Sequence, residues 1–402
     1  MYCDIDFEMA RDILLGLMRV MPAESIDLTE ACGRALAEDL DAKEDVPPFD
    51  RSPYDGYAFQ TENTRKASRE HPVSFRIIEE VPAGNIPSKA VTPGTAMKIL
   101  TGSPVPEGAD GIVKYENTEF TAETVKIFEP VMRHDIVRRG EDIHQGQLLA
   151  KKGDKIDPAL MGSLAAQGIG RPLVYERPRV GIISTGNELV DTDGEMGEGK
   201  VRNTNRYILE GMVRLAGAVP VQLGTAMDSA EEIAGMIGKG VEICDAVITT
   251  GGVSVGDYDL TPKAMVLAGA EIAVRKVYMK PGRACAYGIC KEKALFCLSG
   301  NPAAAMMNFY TVVLPCLKKL MGFNEYLNKT ILVTLAEDFT KPSPETRMLR
   351  GKLDISTGEA LMRFSGQGNV MIHAIIGSDV VAIIPAGTKR VEAGTKLKAF
   401  LL

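Results

Sequence analysis

At 402 residues the chain is long enough for about two to four domains. Hydrophobic residues make up 45% and charged residues 25%, the balance of a globular protein, and a formal net charge of −7 disfavours nucleic acid as a partner. Seven cysteines without C-x-x-C spacing and four dispersed histidines speak against structural zinc and for reduced thiols in the cytoplasm, and no apolar run is long enough to cross a bilayer.

The N-terminus carries Asp4, Asp6 and Glu8 where a signal peptide would be basic. Phe7, Ala10, Leu14 and Leu17 follow helical spacing, with Ile13 and Met18 widening the stripe. A short strand-like run, residues 25–28, and a helical turn ending near Gly33 read as scaffold. Prolines at 47, 48 and 53 exclude a helix and give an ordered loop running into a strand, with Asp55-Gly56 as a default hairpin turn. From about residue 57 to 140, short strands broken by turn residues indicate an inserted β domain. Within it, Leu100-Thr101-Gly102-Ser103 is a hydroxyl-rich loop for which turn chemistry is the default. Asp157-Pro158 starts a helix that runs to Gly168 and completes the first domain.

From Arg179 the texture changes to strand–helix alternation, the pattern of a doubly wound α/β domain with a largely parallel sheet. Residues 180–183 form a buried strand, Thr204 to Ala216 a helix, and Ser229 with Glu232 a capping box. Ala246-Val247-Ile248 reads as a buried strand ending in Thr249-Thr250-Gly251-Gly252-Val253-Ser254-Val255-Gly256-Asp257-Tyr258-Asp259. Its glycines allow close main-chain approach to a phosphate; the competing reading is a tight turn, with Thr261 as N-cap and Pro262 in the first turn. The spacing is not G-x-G-x-x-G, which disfavours a dinucleotide cofactor. Gly300-Asn301-Pro302 opens a helix ending at Gly322. From about residue 325, short β runs at 330–335, 380–384 and 396–401 suggest a small barrel or sandwich.

In open α/β sheets ligands bind beyond the carboxyl ends of strands. Two strands here end in acid-bearing loops, at Glu188 and Asp259, suited to one divalent cation. A third loop, residues 276–283, adds Lys276, Lys280 and Arg283. Two carboxylates, a glycine cradle and three cations suit a metal-bridged phosphate or oxyanion.

The chain resembles the molybdopterin molybdenumtransferases, the MoeA-type family related to the E domain of gephyrin. The resemblance rests on PPFDRSPYDGYA at 47–58, LTGSPVPEGAD at 100–110, STGNEL at 184–189, TGGVSVGDYD at 250–259, KPGR at 280–283 and LSGNPAAA at 298–305. It implies four segments: an N-terminal mixed α/β domain (1–50 and 141–178), an inserted β domain (51–140), a molybdopterin-binding α/β domain (179–324) and a C-terminal β barrel (325–402). It also implies a homodimer with a shared active site. The implied reaction cleaves adenylylated molybdopterin, releases AMP and inserts molybdate with Mg²⁺. Glu188 and Asp259 carry over as catalytic and metal-holding residues. Asp55, Thr101, Asp228, Gly251, Gly252, Ser254, Lys276, Lys280 and Arg350 carry over as substrate-binding residues. Candidate partners are the molybdopterin adenylyltransferase and molybdoenzyme maturation proteins. Four positions depart from the family pattern: Tyr54 for methionine, Arg51 for asparagine, Asn369 for serine, and His373-Ala374 for a serine pair. They bear on substrate contact and on molybdate against tungstate. The alternatives are a molybdopterin adenylyltransferase, which normally consists of the α/β domain alone, a tungstate-inserting paralogue, and a non-catalytic gephyrin-like scaffold.

Overall fold

The computed structural model describes residues 1–132, 135–253, 260–356, 358–364 and 376–402. These form two compact units. One comprises Met1–Glu38, Lys152–Pro158 and Arg171–Leu402; the other comprises Asp39–Lys151 and Ala159–Gly170.

The first unit is built on a seven-stranded sheet. Its elements in chain order are β1 (Tyr2–Ile5), α1 (Phe7–Leu17), β2 (Arg179–Thr185), α2 (Thr204–Leu215), β3 (Val219–Ala226), α3 (Ala230–Ile243), β4 (Ala246–Thr250), α4 (Leu260–Leu267), β5 (Glu271–Val277), β6 (Cys285–Cys290), β7 (Lys293–Leu298) and α5 (Pro302–Asn308). The strand order is β1-β5-β6-β7-β4-β2-β3, and β6 alone runs against the rest. Strand alternation sends Val180, Ile182, Ala246, Ile248 and Phe296 to one face, where α1, α2 and α5 pack, and Ile183, Val247 and Leu295 to the other, under α3 and α4. Helices on both faces explain why these strands are apolar throughout: the sheet is doubly wound, as the texture of the sequence indicated.

The expected apolar stripe of α1 is only partly buried. Phe7, Ala10 and Leu14 are covered, but Leu15 joins them while Leu17 stays 44% exposed. Leu17, in the last turn, is not covered by the core that takes Phe7, Ala10 and Leu14. Likewise the first strand-like run is shifted: the strand is Ala23–Ser25, paired with Leu173–Tyr175, and a turn of 3-10 helix, Leu28–Glu30, follows. Asp27 draws the chain into that turn by accepting from the N–H of Thr29 at 2.9 Å. The helix begun at Pro302 passes through a π turn, Phe309–Val313, and ends as α6 (Leu314–Leu320). Pro315 supplies no N–H to the preceding turn, which is where the helix departs from α geometry.

Beyond it lies a barrel of β8 (Thr330–Leu335), β9 (Thr346–Asp354), β10 (Leu361–Phe364), β11 (Val380–Ile384) and β12 (Lys396–Leu401). The pairings β9–β10, β10–β8, β8–β12, β12–β11 and β11–β9 close a ring of five. Val333, Leu335, Leu349, Val380, Ala382 and Ala399 fill it. A two-residue strand of the α/β domain, Met279–Lys280, pairs in parallel with Thr346 and Arg347 of β9.

The second unit holds a six-stranded sheet, ordered Gly111–Lys114, Gly56–Phe59, Thr95–Ile99, Val73–Val81, Thr124–Ile127, Thr118–Phe120. Tyr57 and Phe59 face one core and Ala58 the other, so both sides of the strand after Asp55-Gly56 are buried. Each such aromatic removed from water is worth about 2–3 kcal/mol, which fixes the register beside Asp55.

Candidate active site

The cleft lies where the α/β topology reverses. From β2 the chain passes to β3 on one side, and from β3 it crosses to β4 on the other, so the carboxyl ends of β2 and β4 splay apart. A cleft of about 740 Å³ opens there, lined by Thr185, Gly186 and Glu188 after β2 and by Thr250, Gly251 and Gly252 after β4. Asp228, after β3, and Ser299 and Gly300, after β7, complete it with the first residues of α2 and α5.

The glycine turn is packed against its neighbour. Gly251 has φ of +105°, and a Cβ there would stand 2.4 Å from Thr185 Oγ1 and 2.5 Å from its carbonyl oxygen. Only glycine lets the two loops touch, which brings main chain to the cleft surface. Thr261 does not cap a helix, contrary to the turn reading. Its N–H donates to the Gly252 carbonyl and its hydroxyl to the Gly251 carbonyl, each at 3.0 Å, pinning the turn from behind. Beneath it Asn205 Nδ2 donates to Thr250 Oγ1 at 2.7 Å and to the Gly300 carbonyl at 2.8 Å, while Thr250 Oγ1 donates to the Ser299 carbonyl at 3.1 Å. That fixes the amide, leaving Asn205 Oδ1 buried without a hydrogen-bond partner among the described residues.

Two helices begin at the cleft. Asn203 caps α2, accepting from Arg206 N at 3.2 Å, and Asn301 caps α5, accepting from Ala304 N at 3.2 Å. Their free N–H groups and dipoles make this end of the sheet attractive to anions despite the negative net charge.

The carboxylates come from the rims. Glu188 is exposed and curls over Gly186. Its loop is tied down by short parallel pairing of Leu189–Val190 with Val201–Arg202, and Val201 N donates to the Glu188 carbonyl at 2.9 Å. Further along, Asp191 accepts from Tyr207 Oη at 2.7 Å, from its neighbour Thr192 N at 2.8 Å, and from Arg206. Those contacts, led by the tyrosine hydroxyl, hold the Asp191 carboxyl below the usual carboxylate range. Asn187 and Asp228 join the two rims reciprocally: Asn187 N donates to Asp228 Oδ2 at 3.1 Å and Asp228 N to Asn187 Oδ1 at 3.0 Å. As expected for the capping box, Ser229 Oγ accepts from Glu232 N at 3.3 Å, but Glu232 Oε1 accepts from Met227 N rather than from the cap residue.

Of the residues singled out in the sequence, Glu188, Asp228, Gly251 and Gly252 therefore share one cleft. Ser254 and Asp259 lie outside the described residues, as do Asn369, His373 and Ala374. Among the described residues no group of three or more His, Cys, Asp or Glu side chains is arranged to hold a metal. Lys276 and Lys280 do not line the cleft. Both are half-buried: Lys276 is near the end of β5, and Lys280 is on the segment between β5 and β6, whose continuation Ala284 does line the cleft. Arg350 is buried in β9 of the barrel, where burial lowers its pKa. In the second unit Thr101 N and Oγ1 both donate to Asp55 Oδ1, at 2.7 and 2.9 Å. Led by these bonds, and helped by Lys98, the Asp55 carboxyl is held below its ordinary value. This is more than the hairpin turn that is the default for Asp55-Gly56. Thr185, Asn203 and Asn205 were missed by the sequence reading. An Asn-x-Asn at a helix start just beyond a strand end was the available signal.

This geometry defines a class: a doubly wound α/β domain with an anion-receiving, carboxylate-rimmed cleft at its switch point. Residues 181–319 match the family described as "Probable molybdopterin binding domain". Residues 5–168 match "MoeA N-terminal region (domain I and II)" and residues 333–402 match "MoeA C-terminal region (domain IV)". A "Molybdopterin molybdenumtransferase" of Bacillus subtilis (strain 168) is 35% identical over 386 residues, covering 94% of this chain and 90% of the relative. One of Staphylococcus aureus (strain MRSA252) is 34% identical over 383 residues, 95% of this chain and 91% of that protein. The "molybdopterin biosynthesis moeA protein" of Pyrococcus horikoshii OT3 superposes with a TM-score of 0.86 at 28% identity, over 99% of this chain and 100% of that one. The chain belongs to the MoeA family of molybdopterin molybdenumtransferases, enzymes of molybdenum cofactor biosynthesis.

Proposed function

We propose that this enzyme cleaves adenylylated molybdopterin, releases AMP and inserts molybdate into the freed dithiolene. The observation that carries the reading is the meeting of main chain, two helix starts and two acids in one cleft: Gly251-Gly252, the caps Asn203 and Asn301, and the carboxylates of Glu188 and Asp228. The N–H groups receive the phosphoanhydride, while Asn205 Oδ1 offers an acceptor that a ligand N–H or O–H would satisfy. Glu188 and Asp228 present hard oxygen donors at the rim, a set that fits Mg²⁺, and Asp259 is assigned to the same role by its motif. When bound, Mg²⁺ offsets the phosphate charge and polarises the bond to be broken. Lys276, Lys280 and Arg350 are assigned to substrate binding, together with Ser254. A lysine is the natural counter-charge where pyrophosphate and molybdate must be held together.

The enzyme acts as a homodimer in this reading, the Asp55–Thr101 pair of one subunit serving the cleft of the other. Support comes from the family resemblance and from the preorganisation of Asp55 by Thr101. A cytoplasmic setting agrees with seven free thiols, and among the described residues no helix is long and apolar enough to cross a membrane. An adenylyltransferase supplies the substrate and maturation proteins receive the product. The test is AMP release from adenylylated molybdopterin with and without molybdate or tungstate. Release that is equally fast without an oxyanion counts against this reading.

A further inference from the structure

A second polar arrangement is buried in the α/β core. Tyr287 on β6 and Asn308 at the end of α5 are both fully buried, among Phe296, Leu298 and Phe309. Tyr287 Oη donates to Asn308 Oδ1 at 2.7 Å, and Asn308 Nδ2 donates to the carbonyls of Gly282 at 3.0 Å and Ala304 at 3.1 Å. The two carbonyls only accept, so the amide orientation is fixed and the phenol must be the donor to the remaining oxygen. Burial pushes the Tyr287 hydroxyl well above its ordinary pKa, which keeps that proton in place. Polar groups in such a core are costly unless each is paired, and here each is.

The bond to Ala304 is local to the helix. The bond to Gly282 spans 26 residues and reaches the turn Lys280-Pro281-Gly282-Arg283. Gly282 has φ of +121°, and a Cβ there would stand 2.5 Å from Met279 Cε and 3.1 Å from Asn308 Nδ2, so the turn closes directly onto the amide. Val277 N donates to the Arg283 carbonyl at 3.1 Å, and Arg283 pairs with Asp4 and Glu345, so the turn is held beyond Gly282 as well.

The geometry points to Asn308, oriented by Tyr287, as a positioning residue that sets the Lys280 turn and so presents its ammonium to the anionic substrate. This rests on the assignment of Lys280 to substrate binding. Asn308→Asp preserves shape but replaces the double donor facing two carbonyls. Tyr287→Phe removes a single hydroxyl and leaves the amide in place. Binding of adenylylated molybdopterin by equilibrium titration, kcat and KM for AMP release, and thermal melting are compared for each variant, alone and combined with Lys280→Ala.

In the Asn308→Asp variant Kd and KM should rise about tenfold, and in Tyr287→Phe a few-fold, with kcat within about twofold of wild type. In the Lys280→Ala background both substitutions should become silent, because they act through that side chain. Folded variants that bind like wild type overturn the inference, as does an effect that persists undiminished when Lys280 is absent. Should Asn308→Asp fail to fold, Tyr287→Phe decides by the same criteria. A Lys280→Ala protein that binds normally overturns the lysine assignment and this inference with it. If Lys280→Ala weakens binding but the two core substitutions do not, the positioning role alone falls.

Discussion

Gly251→Ala isolates the contact on which the cleft depends. An L side chain in that backbone region costs about 1–2 kcal/mol. A Cβ 2.4 Å from Thr185 Oγ1 and 2.5 Å from its carbonyl oxygen adds overpacking of about 1–3 kcal/mol, since the carbonyl is main chain and cannot rotate away. Relief would displace the turn, straining the bond from Gly251 N to the Leu298 carbonyl at 3.0 Å and that from Thr261 Oγ1 to the Gly251 carbonyl at 3.0 Å. A loss of about 2–5 kcal/mol lowers the melting temperature of a domain this size by on the order of 10 °C. Gly235→Ala is the control. It lies within α3 with nothing within 4 Å of a new Cβ, so it should be neutral or stabilising by about 0.5–1 kcal/mol. Both proteins would be compared by thermal melting and by oxyanion-dependent AMP release. Gly251→Ala should lose turnover even at temperatures where it remains folded. If the two variants melt together and turn over alike, the close approach of these loops is not what builds the cleft.

Glu188→Gln should abolish oxyanion-dependent AMP release while moving the melting temperature little, because the side chain is exposed; near-normal turnover removes it from the reacting set. Asp191 has a depressed native pKa, so its contribution to stability is present above the unfolded carboxylate value of about 3.9 and disappears as pH falls through the native one. Asp191→Asn should therefore melt below wild type at neutral pH, with the gap closing under acid conditions; a gap that stays constant down to pH 3 contradicts the latch to Tyr207 and Arg206. If the proposed homodimer shares its site, Asp55→Ala and Glu188→Ala, each inactive alone, should recover roughly a quarter of wild-type activity after confirmed subunit exchange, since about half the dimers would be mixed and hold one intact site. Confirmed mixed dimers without activity place both acids in one subunit's site.

The architecture was legible because burial on both faces writes itself into composition. Ala246-Val247-Ile248 and Val180-Gly181-Ile182-Ile183 read as interior parallel strands, and Glu188 just beyond the second emerges at the carboxyl end of the sheet. Side-chain roles within the turns were less legible. Thr261 sits before a proline, where a cap is the usual reading, and its actual partners are carbonyls ten and nine residues earlier, brought near only by the glycine turn. Asn205 looked like any polar residue in a first helical turn. Its importance comes from Gly300, 95 positions away. Leu17 shows the same limit in reverse: helical spacing assigns a face but not the length of surface available to cover it.

The pairing of Met279 and Lys280 with Thr346 and Arg347 has a mechanical consequence. Because the barrel is a closed ring, β9 is held on both sides, by β10 and by β11. Two rungs of main-chain ladder then tie this ring to the Lys280 turn. A change in the barrel that shifts β9 therefore reaches the Lys280 turn through main chain, and Arg350 on the same strand moves with it.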